Sequence, residues 1–507
     1  MPTPRTLAHF NKTVLPLLHK TVRSQRILND IAHIVKTDRW NSFDQFHKTT
    51  QTLVRAYKTA GAKAEVYTIP TGGPIGSGRW IIHEAADIRG LTIDITHPIQ
   101  QRLLDYKQNP WHAVQWSAAT AAEGQVNELI VIDTENALKK VRPNGLSGKM
   151  VLTKLDARQQ MKGFADKGAA GIIIDRPLSD LPGATPWTKF GWGGISISDA
   201  ASQLVAAVLS EREGIKLREL IRKHGPLTLK TRADVHRYAG THDLVSGLVL
   251  GQNPQDEIWA LAHSAEPGAH DNASGVALCL EIARTLESLI AAGKLPRPKR
   301  TIRLLHGYEC YSFFHYTEHV RRLQTPLAGV CIDTVGAKPA ICDGQLSWRS
   351  SLPMSATFVD RVGAAILNNT LRLHNPGYKL AEGPFVSTSD TLLGDPQYGF
   401  PCPWLTTHYR KEDKAWKAYH SSADTLNVLS PAGLKTCATA MAGYLYYLAN
   451  AGNAEIRDLA NLETRQTLTH LADKPTPNQA AFLREQHHAS LERLKRWIWG
   501  KDRSTLL

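Results

Sequence analysis

Apolar residues recur at helical spacing through the first sixty positions, at Leu15, Leu18, Val22, Leu28, Ile31, Ile34 and Val35, then at Phe43, Phe46, Leu53 and Tyr57 after a break near Asn41 and Ser42. That period predicts two or three amphipathic helices over about 4–60. Short β-type runs bounded by glycine and proline follow, at 64–70, 80–83 and 91–95. Between 121 and 235 the pattern predicts a small β-rich unit, with runs at 125–133, 146–153, 172–174 and 194–198 and a helix ending near Lys167. From Leu244 to about 450, near-continuous apolar strands alternate with long amphipathic helices, the pattern of a largely parallel sheet covered on both faces. Two more helices flank Lys474-Pro-Thr-Pro, the last carrying Leu491, Leu494, Trp497 and Ile498, which suits a packing or dimerisation arm and leaves a homo-oligomer open. The predicted class is α/β, a mixed, largely parallel sheet sandwiched by helices with an inserted β-rich domain. Its segments are 1–120, 121–235, 236–450 and 451–507.

Composition narrows the class. A chain of 507 residues with 42% apolar and 21% charged positions buries ordinary cores, which excludes disordered, collagenous and disulfide-scaffold proteins. No apolar run approaches the roughly 18 residues of a membrane span, and the first residues lack a secretory pattern, so neither span nor secretion is expected. The six cysteines (Cys279, Cys310, Cys331, Cys342, Cys402, Cys437) form no CxxC pair, as expected of reduced thiols in a cytoplasm. Much of the net charge of +14 sits in the first sixty residues, where ten Lys and Arg face only Asp30, Asp38 and Asp44. With no nucleic-acid-reading motif, this reads as a solvated helical face, and a nucleic-acid partner ranks last.

Four side chains suited to metals lie just after four predicted strands: His263 after 258–262, Glu309 after 301–305, Asp333 after 329–332, and His420 in the loop beyond 403–406. In an open α/β sheet the loops at the carboxyl ends of strands gather on one edge, so these residues can meet. Asp271 stands immediately before a helix beginning at Ala273, where its two oxygens can bridge two divalent cations. Asn272 and Ser274 can satisfy exposed backbone groups there, and Gly275 lets the helix approach the sheet.

The ordered set His263, Gly268-Ala-His-Asp-Asn-Ala-Ser-Gly, Glu309, Asp333, Asp390 and Tyr419-His-Ser-Ser-Ala-Asp resembles the zinc aminopeptidase family that includes bacterial leucyl aminopeptidases, glutamate carboxypeptidase and glutaminyl cyclases. The resemblance covers about 236–450, while LSGKMVL and KGAAGIII upstream resemble the protease-associated domain. It implies that His263 and Asp333 bind one zinc, that Asp271 bridges, and that His420 and a glutamate complete a second site. A neighbouring glutamate acts as general base. Zinc keeps a position open for water and lowers its pKa to about 7, so that a nearby carboxylate can take the proton.

Two departures matter. The family's Glu-Glu pair is Glu309-Cys310 here, so either Glu309 is the base and Cys310 a ligand, or Glu309 is the ligand and the base lies elsewhere. The aspartate that orients the first imidazole in many relatives is replaced by Ala265, which weakens the metal unless Glu266 or another group substitutes. One or two zinc ions per chain are therefore expected. Around the strand ends, His408, Tyr409 and Tyr419 could stabilise an oxyanion, Arg410 could pair with a substrate carboxylate, and Asp390 could hold an amine or the fold. His270 is expected to line the site and Asp424 to fix the His420 loop. The expected activity is zinc-dependent hydrolysis of a peptide or small amide, most simply by an aminopeptidase. The alternatives are a single-zinc cyclase or amidase, or a scaffold that keeps the fold without catalysis.

Overall fold

The structure, a computed structural model, describes the chain apart from residues 1–3, 40–41, 73–80, 178–180, 192, 197, 310, 321–324, 354, 356–357, 388–399 and 501–507. Helices α1 (Arg5–Thr21), α2 (Ser24–Thr37) and α3 (Phe43–Thr59) open it and lead into strand β1 (Lys63–Pro70). There follow β2 (Ala85–His97), β3 (Gln101–Asp105), β4 (Gln125–Val131), α4 (Glu135–Lys140), β5 (Lys149–Thr153), α5 (Ala157–Asp166), β6 (Gly171–Ile174), β7 (Val205–Val208), α6 (Glu211–His224) and β8 (Leu227–Tyr238). The next part comprises β9 (Thr241–Val249), β10 (Asn253–Leu261), α7 (Ala273–Ala291), β11 (Arg300–Gly307), α8 (Tyr311–His315) and β12 (Pro326–Ile332). It continues through β13 (Gln345–Arg349), α9 (Val359–Leu373), β14 (Lys379–Gly383), β15 (Trp404–Thr406), α10 (Pro431–Asn450), α11 (Asn453–Ala472) and α12 (Pro477–Lys495).

Among the described residues these strands form two mixed sheets, in the orders β1-β9-β11-β10-β12-β15-β13-β14 and β3-β2-β8-β4-β5-β6-β7. The centre of the larger sheet, β11-β10-β12-β15, is parallel, so the chain leaves these four strands at the same edge. Side chains alternate across it as the pleat demands. Ile258 and Ala260 join the core formed with α1, α2, α7, α9 and α10. Trp259 and Leu261 point the other way, into a core shared with Trp116, Phe164 and Ile172 of the smaller sheet's unit.

The smaller sheet begins earlier than the apolar pattern suggests. Strand β2 lies within 1–120, yet it runs antiparallel to β8 from Ala85 opposite Tyr238 to His97 opposite Thr228. The described residues of the run at 194–198 form no strand. Gly193 and Gly194 carry φ of +81° and +86°, which breaks an extended run, and the fourth parallel strand is Val205-Ala-Ala-Val, buried throughout.

The N-terminal helices number three because the chain breaks at Val22 and Arg23 as well as near residue 41. Part of their positive charge is consumed inside the molecule. Arg26 reaches Glu281 of α7 at 2.6 Å, a carboxylate with no exposure, whereas Asp30 on the same helix pairs the other way, with Arg284 of α7. At the other end of the chain, Trp497 packs edge-on to Phe358 and under the buried Arg300, so the C-terminal helices serve as a packing arm. No helix among the described residues is long and apolar enough to cross a membrane.

His306, on β11, donates from Nδ1 to the Ala262 carbonyl at 3.0 Å and accepts at Nε2 from the Tyr57 hydroxyl. Burial pushes its pKa down to about 4, against a partial upward pull from the Ala262 carbonyl. The unfolded chain protonates this imidazole near 6.5 while the folded one stays neutral, so the contribution is complete above that pH and is lost as pH falls towards 4. Denaturant unfolding should therefore show a loss of about 2 kcal/mol from this residue between pH 7 and pH 5, which the His306→Gln variant no longer shows.

Candidate metal centre

The edge where the parallel strands end carries the chemistry. His263 follows β10 by two residues, Glu309 follows β11 by two, Asp333 follows β12 directly and His408 follows β15 by two. Asp271 enters from the loop before α7 and His420 from the loop before α10. His263 Nε2 stands 3.4 Å from Asp271 Oδ1 and 3.3 Å from Asp333 Oδ1, and His420 Nε2 stands 3.1 Å from Asp271 Oδ2. The two oxygens of Asp271 thus face two different imidazoles.

Local structure holds Asp271 in that position. Both oxygens of the buried Asp424 accept backbone N–H groups, from His270 at 2.7 Å and from Asp271 at 2.9 Å. Asn272 caps α7 by accepting the Gly275 N–H and also accepts the Thr334 N–H beside Asp333. Ser274 accepts from Val335 and donates to the His270 carbonyl. A Cβ on Gly275 would lie 2.3 Å from the Ile332 carbonyl, and one on Gly268 would lie 2.1 Å from Asp424 Oδ2, so both close approaches require glycine. Asp424, expected to fix the His420 loop, ties that loop to the backbone of Asp271.

The spacing fits a metal. A tetrahedral zinc with bonds of about 2.0–2.1 Å separates its ligand atoms by about 3.3–3.4 Å. The distances around His263 match that value more closely than the 2.7–2.9 Å of a charge-assisted hydrogen bond. Two groups of donors stand close enough to hold a cation: His263, Asp271 and Asp333, and Glu266, Asp271 and His420. Asp333 Oδ1 is buried without a hydrogen-bond partner among the described residues.

The charge balance points the same way. Burial raises the Glu266 carboxyl well above its ordinary range, and the Asp271 and Glu309 charges raise it further. Burial also lifts Asp333 to about 6, although His263 opposes it. Asp271 is held well below the usual range in spite of burial, because His263 and His420 contact its oxygens. Burial works against ionised Glu309 too, but Lys189 and His263 bring its pKa down. A buried site with this surplus of carboxylates is one that a divalent cation neutralises.

Among the remaining candidates, Tyr419 stacks on His420 at 3.7 Å between ring centroids, and His408 meets Tyr419 edge-on at 4.5 Å. Burial lowers the His408 pKa to about 4, which leaves the imidazole neutral, and raises Tyr419 well above 10. Tyr409 packs on His408 and under the Arg349 guanidinium. Arg410 folds back on its own loop, where Nε donates to the Ala415 carbonyl at 2.6 Å. His270 is fully buried, with Nε2 2.7 Å from Thr407 Oγ1, so it braces the strand ends. Cys310 and Asp390 lie outside the described residues.

Several groups had no local sequence signal. Lys189, from the loop before β7, places Nζ 3.8 Å from Glu309 Oε2 and over the Trp187 ring. Trp187 donates its backbone N–H to the His420 carbonyl and sets its indole edge-on to that imidazole. With Trp111 it walls a narrow cleft over Glu266, Asp271 and His420. Asp38, at the end of α2 and fully buried, accepts the Ala265 N–H at 2.8 Å. It stands in the electrostatic environment of His263, where burial moves its pKa up to about 7. It supplies an acidic group in the surroundings of the first imidazole.

Residues 249–307 match the model of Peptidase family M28. No curated protein matches the chain in sequence. The fold is similar to that of a zinc aminopeptidase from Bacillus subtilis, with a TM-score of 0.61 at 16% identity over 84% of this chain and 95% of that one. It is also similar to a peptidase M28 precursor from Shewanella amazonensis SB2B, with a TM-score of 0.61 at 17% identity over 88% and 98%. An aminopeptidase from Aneurinibacillus sp. strain AM-1 gives 0.52 at 19% identity over 85% and 95%. The chain shares its fold with these peptidases, and the stretch that matches the family model, 249–307, carries His263, Asp271 and the strand that leads to Glu309.

Asp424→Ala should leave the N–H groups of residues 270 and 271 unpaired. The expected result is a loss of roughly 1–3 kcal/mol in denaturant unfolding. Zinc affinity measured by chelator competition should fall by roughly 10–100-fold.

Proposed function

We propose that the protein is a zinc-dependent hydrolase of peptide bonds, an aminopeptidase working with two metal positions. The observation that carries this reading is the Asp271 carboxylate with one oxygen towards His263 and the other towards His420. In it, His263, Asp271 and Asp333 would hold one zinc, and Asp271 and His420 would contribute to holding the other. Zinc bound there supplies a Lewis acid for the scissile carbonyl and a water of lowered pKa. The paired triads favour this over a single-zinc cyclase or amidase, and the retained charge pattern favours it over a scaffold.

The chain's own residues supply the rest. Glu309 is the general base: its carboxylate takes a proton from the attacking water and delivers it to the departing amine nitrogen. Lys189 keeps Glu309 ionised, since a cation 3.8 Å away lowers the cost of a buried negative charge. Neutral His408 and the protonated Tyr419 hydroxyl are the donors suited to charge developing on the carbonyl oxygen. Trp111 and Trp187 exclude water from the cleft. The unit built on the smaller sheet is, in this reading, protease-associated-like, and its part in catalysis is to carry Lys189 and the tryptophans to the metal edge. The buried free thiols Cys279, Cys342 and Cys437 support a reducing, cytoplasmic setting.

Hydrolysis of a panel of aminoacyl p-nitroanilides should disappear on exhaustive chelation and return with zinc. Activity that survives metal removal overturns the reading. Glu309→Gln should lower kcat by about 10²–10⁴-fold with zinc content unchanged. Lys189→Met removes the charge that favours ionised Glu309, so the acidic limb of the pH–rate profile should move to higher pH.

A further inference from the structure

Building on the metal-centre reading, we propose that Glu266 is itself a metal ligand and completes the second donor set with Asp271 Oδ2 and His420 Nε2. The second position then does not depend on the residue that follows Glu309. Geometry is the first support. Glu266 Oε2 lies 3.8 Å from His420 Nε2, and one ligand atom from each of Glu266, Asp271 and His420 falls within 4.8 Å of the others. Asp271 is common to both triads, so the two cations would be neighbours sharing one bridge.

Desolvation is the second support. Glu266 is only 4% exposed, and its ion-pair contact among the described residues is with His420, which Asp271 already engages at closer range. Glu266 also hydrogen-bonds Glu309, and His263 and Lys189 favour its charge, but three carboxylates (Glu266, Asp271 and Glu309) crowd this buried corner, and a divalent cation between Glu266, Asp271 and His420 offsets their repulsion.

The third support is the way the loop delivers it. Ser264 continues the ladder of β10 by donating to the Gly307 carbonyl at 2.8 Å. Ala265 then turns left-handed, with φ of +68°, a conformation unfavourable for alanine that the surroundings must hold. Asp38 holds it by accepting the Ala265 N–H. His263 and Glu266, three residues apart, are thereby sent to different triads. Asp38 is the positioning residue for this turn. Glu309 belongs to neither triad, which separates the base from the ligands.

The test is zinc titration of the metal-stripped full-length protein, with bound metal measured by atomic emission and the site probed by cobalt absorption. The wild type should bind two ions per chain. Glu266→Gln should keep one and lose affinity for the other by more than the roughly 10–100-fold that loss of a supporting group costs. His420→Ala should lose the same ion, and Asp38→Ala should weaken it by about 10–100-fold. Thermal melts in excess chelator guard against misfolding: metal-free Glu266→Gln should be at least as stable as the metal-free wild type, because the amide relieves carboxylate crowding. The proposal is overturned if Glu266→Gln binds two ions with wild-type affinity. A cobalt–thiolate charge-transfer band that Cys310→Ser removes and Glu266→Gln leaves intact also overturns it. A wild type that binds no zinc overturns the metal centre as a whole, a result distinct from the two that reject Glu266 alone.

Discussion

The arrangement depends on one buried carboxylate, Asp271, kept ionised between two imidazoles that come from loops far apart in the chain. Neither histidine could hold it in place alone. The backbone on either side is fastened first, by Asp424 on the N–H groups of residues 270 and 271 and by Asn272 at the start of α7. Those bonds in turn need α7 pressed against β12, which Gly275 allows. The sheet, the helix cap and the loop before α10 therefore act as one support for a single side chain.

Much of this could be read from the sequence because it is local. The apolar runs ending at His263, Glu309 and Asp333 are strands with a common exit edge, and the Asp271 motif is a helix cap with a carboxylate beside it. The groups that escaped are those whose partners are distant. Lys189 and Trp187 sit in a loop of ordinary composition and gain meaning only where they meet Glu309 and His420. Asp38 looks like one of three acids among basic helices, yet it ends up buried beside Ala265. Strand β2 was invisible as part of the smaller sheet because its partner β8 lies more than a hundred residues on.

The smaller sheet's unit is more than an appendage. Its core is continuous with the Trp259 face of the larger sheet, and its loop contacts both the proposed base and the last histidine. The charge on Glu309 is thus set in part from outside the parallel strands.

The pairing of β1 with β9 has a further consequence. The edge strand β1 and its neighbour β9 bracket the whole smaller unit, which hangs between them as one oversized hairpin loop. During synthesis β1 emerges long before its neighbour, and its free edge stays exposed until the intervening unit has been made. A unit that folds promptly by itself brings the two ends together and turns a distant pairing into a near one. The nested architecture thus makes early folding of the appended sheet a condition for closing the catalytic one.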